Sequence, residues 1–264
     1  MSASVLTLFT ETTLDGFPLW VVLLICGGVF LAGFMDAIAG GGGIISVPTH
    51  FVLGTNKLSS CIGTAFSTAR FIHQGYVHWR LFLPAAGLAV AGSVCGTQLQ
   101  LHTPDVVLKY LLLAVLPVVA FFTLRTKTWP EEPAPIPPRR QAAIVWAAAL
   151  LIGTYDGYYG PGTGTFLMLV FIHLGKMDTR HAAGGVKVIN LASNIGGVCS
   201  ALMAGTVVLG VGLAAALASI LGHYLGAGLA IRNGSKIVRP AVVVVLLLLL
   251  VKVISELLFP NFWN

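Results

Sequence analysis

Long apolar runs, broken by short glycine or polar clusters, set the pattern of this chain. A membrane-crossing helix needs about 20 apolar residues. Residues 18–39, 81–101, 106–124, 142–159, 207–231 and 238–259 meet that requirement. Residues 44–53 and 165–174 are equally apolar but too short to cross, and each follows a glycine cluster. Residues 58–72 and 182–203 form longer stretches rich in Ser, Thr, Ala and Gly, entered through polar turns expected at 54–57 and 175–178.

The pattern occurs twice. Gly33, Asp36, Gly40 and Gly42 return 120 positions later as Gly153, Asp156, Gly160 and Gly162. Leu53 and Gly54 align with Leu174 and Gly175, Gly63 with Gly184, and Gly75 with Gly205. Gly92 and Gly96 align with Gly222 and Gly226. Collinearity of these matches with the Asp motif predicts a duplication. The expected fold is an all-α integral membrane protein of two homologous halves, read as inverted repeats. Each half holds full spans plus a broken or re-entrant helix pair.

Residues 125–140 are the one long polar linker, with Pro130, Pro133, Pro135, Pro137 and Pro138. The predicted organisation is an N-terminal tail (1–17), a first transmembrane repeat (18–124), a proline-rich basic linker (125–140), a second repeat (141–259) and a C-terminal tail (260–264). The tail holds Glu11 and Asp15 but no Lys or Arg, which predicts a retained first span and no cleaved signal peptide. Basic loops favour the cytoplasm. Arg125, Lys127, Arg139 and Arg140 therefore place the linker there, and Arg232, Lys236 and Arg239 the last loop. If each short apolar piece pairs with the stretch after it as a re-entrant hairpin, each half has three crossings and the second half inverts. If the small-residue stretches cross fully, the repeats run parallel. Inversion is favoured.

Composition agrees: 56% of the 264 residues are hydrophobic, 9% are charged, and mean hydropathy is +0.90. The net charge of +6 reads as basic cytoplasmic loops and not as a nucleic-acid footprint. Cys26, Cys61, Cys95 and Cys199 lie in apolar stretches without a CxxC pair and read as packing residues. The seven His residues show no ligand spacing, so no metal and no cofactor are expected. Trp20, Trp79, Trp129, Trp146 and Trp263 are expected as interfacial anchors. GxSxG, HExxH and GxxxxGK[ST] motifs are absent, and the chain is read as non-enzymatic.

The candidate chemistry lies at the breaks. Helix starts after Gly40, Gly41, Gly42 and Gly43, and after Gly160, Gly162 and Gly164, would offer unpaired N–H groups to an anion. Thr163 and Thr165 would add hydroxyls. Asp36 and Asp156 either cap the adjoining break or couple a proton or cation. Arg70 and Lys187 are the cations found deep in the small-residue stretches. Lys187, Asn190 and Asn194 share one helical face suited to an oxyanion, although Lys187 would equally pair with an Asp. Arg70 sits near its segment end and would snorkel towards the loop that holds His73 and His78. Tyr155, Tyr158 and Tyr159 line either a pocket or an interface. Lys252 and Glu256 pair at i,i+4 with no function assigned.

The Asp36–Gly43 run with Pro48, the Gly153–Gly164 run and the 187–194 face resemble the sulfite exporter TauE/SafE family, over about 18–259. That resemblance implies a multi-pass cell-membrane transporter of organosulfonates or inorganic sulfur oxyanions, mostly in bacteria. The expected partners are a small sulfur-containing anion and the lipid bilayer, with homo-oligomerisation left open. A channel-like facilitator and a non-transporting membrane subunit are the alternatives.

Overall fold

A computed structural model describes residues 13–40, 50–100, 102, 129–203, 205 and 207–258, with scattered positions between 110 and 123. A short hairpin, β1 (Thr13–Leu14) and β2 (Phe17–Pro18), precedes eight helices among the described residues. These are α1 (Leu19–Ala39), α2 (His50–His73), α3 (Trp79–Gln100), α4 (Pro138–Tyr158), α5 (Thr163–His173), α6 (Thr179–Met203), α7 (Leu209–Asn233) and α8 (Ser235–Leu258). Helices α1, α3, α7 and α8 are long and apolar enough to cross a membrane. At 25 residues, α6 spans about 37 Å, so length does not confine it to half a bilayer. Most of the predicted 106–124 span lies outside the described residues; Tyr110, Leu113, Leu116, Pro117, Ala120, Phe121 and Thr123 within it are helical.

Local chemistry explains the boundaries. Helix α1 stops at Gly40, which takes a left-handed φ of 72° while its N–H bonds the Asp36 carbonyl at 2.7 Å; a side chain there would be strained. The repeat-related Gly160 has φ 87°, and the pair Gly75 and Gly205, following α2 and α6, have φ 79° and 65°. The duplication thus extends to backbone conformation. Helix α4 starts at Pro138, three residues inside the expected linker, because proline at a first helical position loses no bonded N–H and comes with its φ preset.

The turn expected at 54–57 is not one: these residues lie inside α2. Their polar groups find partners without breaking the helix. Thr55 Oγ1 accepts the Val208 N–H at 2.9 Å, Ser59 donates to the Asn56 carbonyl, and Lys57 reaches α4 and α6. The sequence match of Gly54 with Gly175, which does lie in a turn, therefore carries no structural equivalence.

The halves exchange partners. Helix α1 packs along α7, and α4 along α3. A Cβ on Gly222 would strike the Phe30 carbonyl and one on Gly226 the Phe34 carbonyl, while Gly92 and Gly96 stand in the same relation to Leu150 and Thr154. Phe30 and Phe34 lie 120 positions before Leu150 and Thr154, so the two seams repeat one another. Small residues let the backbones close without voids, the usual basis of helix association in lipid.

Chain ends sort to two sides. Asp15 accepts the Val211 N–H at 2.9 Å, which ties the start of α1 to the start of α7. On the other side the linker gathers four elements. Pro130 O accepts the Thr179 N–H at 2.9 Å, and Gln141 Nε2 donates to Gly175 O at 2.8 Å. Glu131 accepts Arg180 Nη1 and the Ser235 N–H, both at 2.8 Å, and Arg180 Nε donates to the Ile231 carbonyl. Helix α5 consequently folds back along α4 to the side where α4 began. Trp129, expected as an interfacial anchor, is 3% exposed and lies edge-on to His173, because the linker packs against the helix ends. Large apolar side chains such as Leu24, Leu151, Leu217 and Val251 cover the outer face.

Two outcomes test this packing. Gly96→Val and Gly226→Val should each lower stability by about 1–3 kcal/mol through overpacking, read by thermal melting in detergent. Gly87→Ala, which meets nothing within 4 Å, should leave the melt unchanged or raise it slightly, alanine being the better helix former. Bonds from Ser235 are the foremost influence holding the Glu131 carboxyl below its ordinary range. A lowered carboxyl stabilises the fold above its unfolded value and loses that contribution as it protonates. The clamp should therefore hold through neutral pH and loosen only below about pH 4.3, a loss that Glu131→Gln abolishes in pH-dependent melts.

Candidate functional site

Two intramembrane carboxylates, one at each break, are each faced by a lysine from the opposite half. At the first, Asp36 in the last turn of α1 meets Lys187 of α6, with Nζ 3.0 Å from Oδ2. Lys187 Nζ also donates to the Asp36 backbone carbonyl. The lysine is 0% exposed, so an unpaired ammonium there would be prohibitively placed. His223 of α7 brings Nε2 within 3.3 Å of the same Oδ2 and 3.3 Å of Thr64 Oγ1 on α2. Its Nδ1 lies 3.0 Å from the Ser219 carbonyl.

At the second break, Asp156 in the last turn of α4 accepts Thr163 Oγ1 at 2.8 Å and the Ser193 hydroxyl. Lys57 of α2 stands 3.6 Å from Oδ2 and 3.5 Å from Asn194 Oδ1 on α6. The Lys57 side chain is 30% exposed against 11% for Asp156. This pair is looser than the first and its lysine wetter, although Asp36, at 17%, is the more exposed of the two acids.

The breaks touch one another. A Cβ on Gly164, in the first turn of α5, would collide with Gly40 Cα and lie 2.9 Å from Asn190 Nδ2; Thr165 Oγ1 donates to the Ala39 carbonyl at 2.8 Å. Asn190 is buried and its Oδ1 has no hydrogen-bond partner. A buried polar atom left unpaired costs about 1–3 kcal/mol. The Nδ2 of the same amide faces Gly164 in the first turn of α5, where the Thr163 N–H is taken by the Gly160 carbonyl and the Phe166 N–H by the Gly162 carbonyl.

The expected site residues therefore divide. Gly40, Gly160, Gly162, Gly164, Thr163, Asn190, Asn194 and Asp156 assemble around the crossing, while Gly41, Gly42 and Gly43 lie outside the described residues. Lys187 shares a helix with Asn190 and Asn194, but its ammonium is engaged by Asp36. Arg70 lies elsewhere, stacked 4.1 Å over the Tyr224 ring and donating to the Tyr224 carbonyl at 2.6 Å; that bond keeps it from the loop holding His73 and His78. The Thr163 and Thr165 hydroxyls are taken by Asp156 and Ala39. Tyr155 braces the break by donating to the Pro161 carbonyl. Lys252 and Glu256 pair at 3.9 Å, and Tyr159 donates to Glu256.

Two residues escaped sequence reasoning. Lys57 was hidden by the turn assigned to 54–57, although an unbroken helical phase from His50 would have carried it into the bundle. His223 was treated as one of several scattered histidines; its place four residues after Ser219 and between Gly222 and Gly226 was the available signal. Among the described residues no cluster of three or more His, Cys, Asp or Glu is placed to hold a metal.

Comparison with known proteins agrees with this architecture. A family model described as Sulfite exporter TauE/SafE matches residues 25–253. The chain is 35% identical over 238 residues to a probable membrane transporter protein, ORF9, of Sinorhizobium sp., covering 86% of this chain and 90% of that one. It is 32% identical over 226 residues to the probable membrane transporter protein YfcA of Escherichia coli K12, at 81% and 82% coverage. A probable membrane transporter protein of Haemophilus influenzae is 32% identical over 250 residues, at 89% and 95% coverage. No solved structure matches.

Removing one partner of the buried pair should be far worse than removing both. Lys187→Met strands the Asp36 charge and should cost about 3–5 kcal/mol. Combining it with Asp36→Asn should recover at least half of that loss, read as melting temperatures of the purified variants.

Proposed function

Because the chain belongs to the sulfite exporter TauE/SafE family of multi-pass membrane transporters, we propose that it is a secondary transporter of a sulfur-containing oxyanion, sulfite or an organosulfonate. The anion binds at the crossing of the two breaks, against the start of α5, with Lys57, Asn190 and Asn194 as side-chain partners. The buried amide of Asn190, whose Oδ1 has no hydrogen-bond partner, carries this reading. Turned half a revolution about its last bond, that amide presents N–H to a guest oxygen, and the nearby helix start adds up to about 2 kcal/mol for an anion. Lys57 supplies the cation that the sequence assigned to Lys187. Its 3.6 Å separation from Asp156 and partial exposure leave it available to a competing oxyanion.

The halves act as inverted repeats. Three observations support this: Asp15 joins the starts of α1 and α7 on one side, the linker joins the starts of α4, α6 and α8 on the other, and the α1–α7 and α4–α3 seams repeat. Rocking of one half against the other would open the crossing alternately. Backbone contact between Gly40 and Gly164 supports a carrier over an open pore. An anion moving outward across a negative-inside membrane gains about 2.3 kcal/mol per 100 mV, so export can run unaided whereas uptake needs a coupled cation.

A thermal-shift panel of sulfite, thiosulfate, sulfoacetate, taurine and aromatic sulfonates tests the proposal. A ligand present at 100 times its Kd should stabilise the protein by about 2.7 kcal/mol. Lys57→Ala and Asn190→Ala should each weaken binding of the best ligand at least tenfold. Absence of any shift, or a shift untouched by both variants, rejects the reading.

A further inference from the structure

We propose that His223 is the proton-binding group through which transport is coupled to a pH gradient, with Asp36 as its fixed counter-ion; this rests on the transporter reading above. The ring is 2% exposed and sits in a slot cut by glycines of the first half: a Cβ on either Gly33 or Gly63 would strike the His223 ring. An imidazole has been given room at a helix crossing where an aliphatic side chain would serve packing equally well.

The partners fix its states. Nδ1 faces the Ser219 carbonyl at 3.0 Å, an acceptor, so Nδ1 carries a hydrogen in every state. Ser219 Oγ, at 3.2 Å, completes that side. Nε2 faces two oxygens of different character. When the ring is neutral, the Thr64 hydroxyl donates to Nε2 across 3.3 Å. When the ring is protonated, Nε2–H donates to Asp36 Oδ2 across 3.3 Å. The ring need not move between the two states: without the proton, Nε2 and Asp36 Oδ2 face each other as two acceptors, and a bound proton turns that contact into a hydrogen bond.

The charged groups around it are few. Helix α1 presents Asp36, and α6 presents Lys187, which holds Asp36 Oδ2 at 3.0 Å. Helix α2 presents Thr64, which is not titratable here. On α7 itself Tyr224 lies under Arg70. With neutral His223 the Asp36–Lys187–His223 group carries no net charge; one bound proton makes it +1. That charge appears at the last turn of α1, whose next residue, Gly40, touches Gly164 in the first turn of α5. A positive cluster at Asp36, four positions before the crossing at Gly40, favours an entering oxyanion, and a neutral one favours its release. Proton and anion thus travel together, with no net charge moved for a monoanion.

Two measurements decide the matter. The first is nitrogen-15 NMR of histidine-labelled full-length protein in nanodiscs from pH 5 to 9. His223→Gln identifies the resonances, and Thr64→Val, which keeps the ring, identifies them independently should that variant not fold. The expected result is a signal that titrates within this range and whose midpoint is displaced by Asp36→Asn. A ring that stays in one state throughout overturns the proposal, whatever the substrate proves to be. The second uses liposomes and the strongest sulfur anion of the thermal-shift panel. Wild type should move it at least tenfold faster down an imposed pH gradient, and His223→Gln should lose that stimulation, with any remaining exchange no longer varying with pH. Retained stimulation overturns the proposal, and so does residual exchange in the variant that still rises as the pH falls; a variant that moves nothing leaves the decision to the titration. If wild type moves none of the anions, the substrate reading has failed and the titration still decides the proton site.

Discussion

An ammonium group within a bilayer must have a carboxylate beside it, and the contact between Lys187 and Asp36 meets that demand across the two halves of the chain. Neither residue can be placed without the other, since burial of one unpaired charge would exceed the margin by which most proteins are folded. The pairing dictates that α1 ends where α6 passes, because Lys187 also takes the Asp36 carbonyl. That carbonyl accepts the Gly40 N–H as well, so it helps hold the left-handed turn that stops the helix. One ion pair therefore positions the first break. The second break repeats the logic more loosely, with hydroxyls of Thr163 and Ser193 sharing Asp156 with Lys57.

Close helix seams make this economy of charge workable. Where Gly92 and Gly96 meet α4, and Gly222 and Gly226 meet α1, the backbones approach as far as sterics allow. Each seam joins a broken helix of one half to an unbroken helix of the other. In the proposed rocking of the halves these seams would be the surfaces that shift, and the Gly40–Gly164 crossing lies where the halves meet. Apolar outer faces add little preference for one arrangement over another, because lipid solvates them in all arrangements.

Most of the architecture was legible from hydrophobic runs and repeated glycines. Four of the spans, the helix stops at Gly40 and after Tyr158, and the turn at 175–178 follow from patterns in which neighbours along the chain determine the outcome. The site was legible only in part. Asp36, Asp156, Asn190 and Asn194 stand out because polar groups in apolar segments are costly. Their partners do not stand out: Lys57 and Asp156 are separated by 99 positions and Asp36 and His223 by 187, and no local pattern encodes such a meeting. The misassigned turn at 54–57 has the same origin. Gly54 and three polar residues look like a loop because the groups that meet Thr55 and Lys57, on α4, α6 and at the start of α7, come much later in the sequence. Trp129 likewise looked interfacial until the linker was seen to fold onto the helix ends.

The two lysine–carboxylate pairs resolve an apparent conflict between an anion carrier and its acids. A carboxylate aimed at an anion site repels the guest, but a carboxylate already spanned by an ammonium presents little field beyond a few ångströms. Lys187, fully buried, and Asp36 neutralise each other, and in the proposed coupling they form the fixed frame on which a single proton at His223 would change the net charge. Lys57 and Asp156, 3.6 Å apart with the lysine partly exposed, form the looser pair, whose cation in the proposed reading would turn to an oxyanion while Thr163 and Ser193 continue to satisfy the acid. In the proposed cycle the tight pair carries the charge switch and the loose pair carries the guest. The direct backbone contact between Gly40 and Gly164 is the shortest physical path between them.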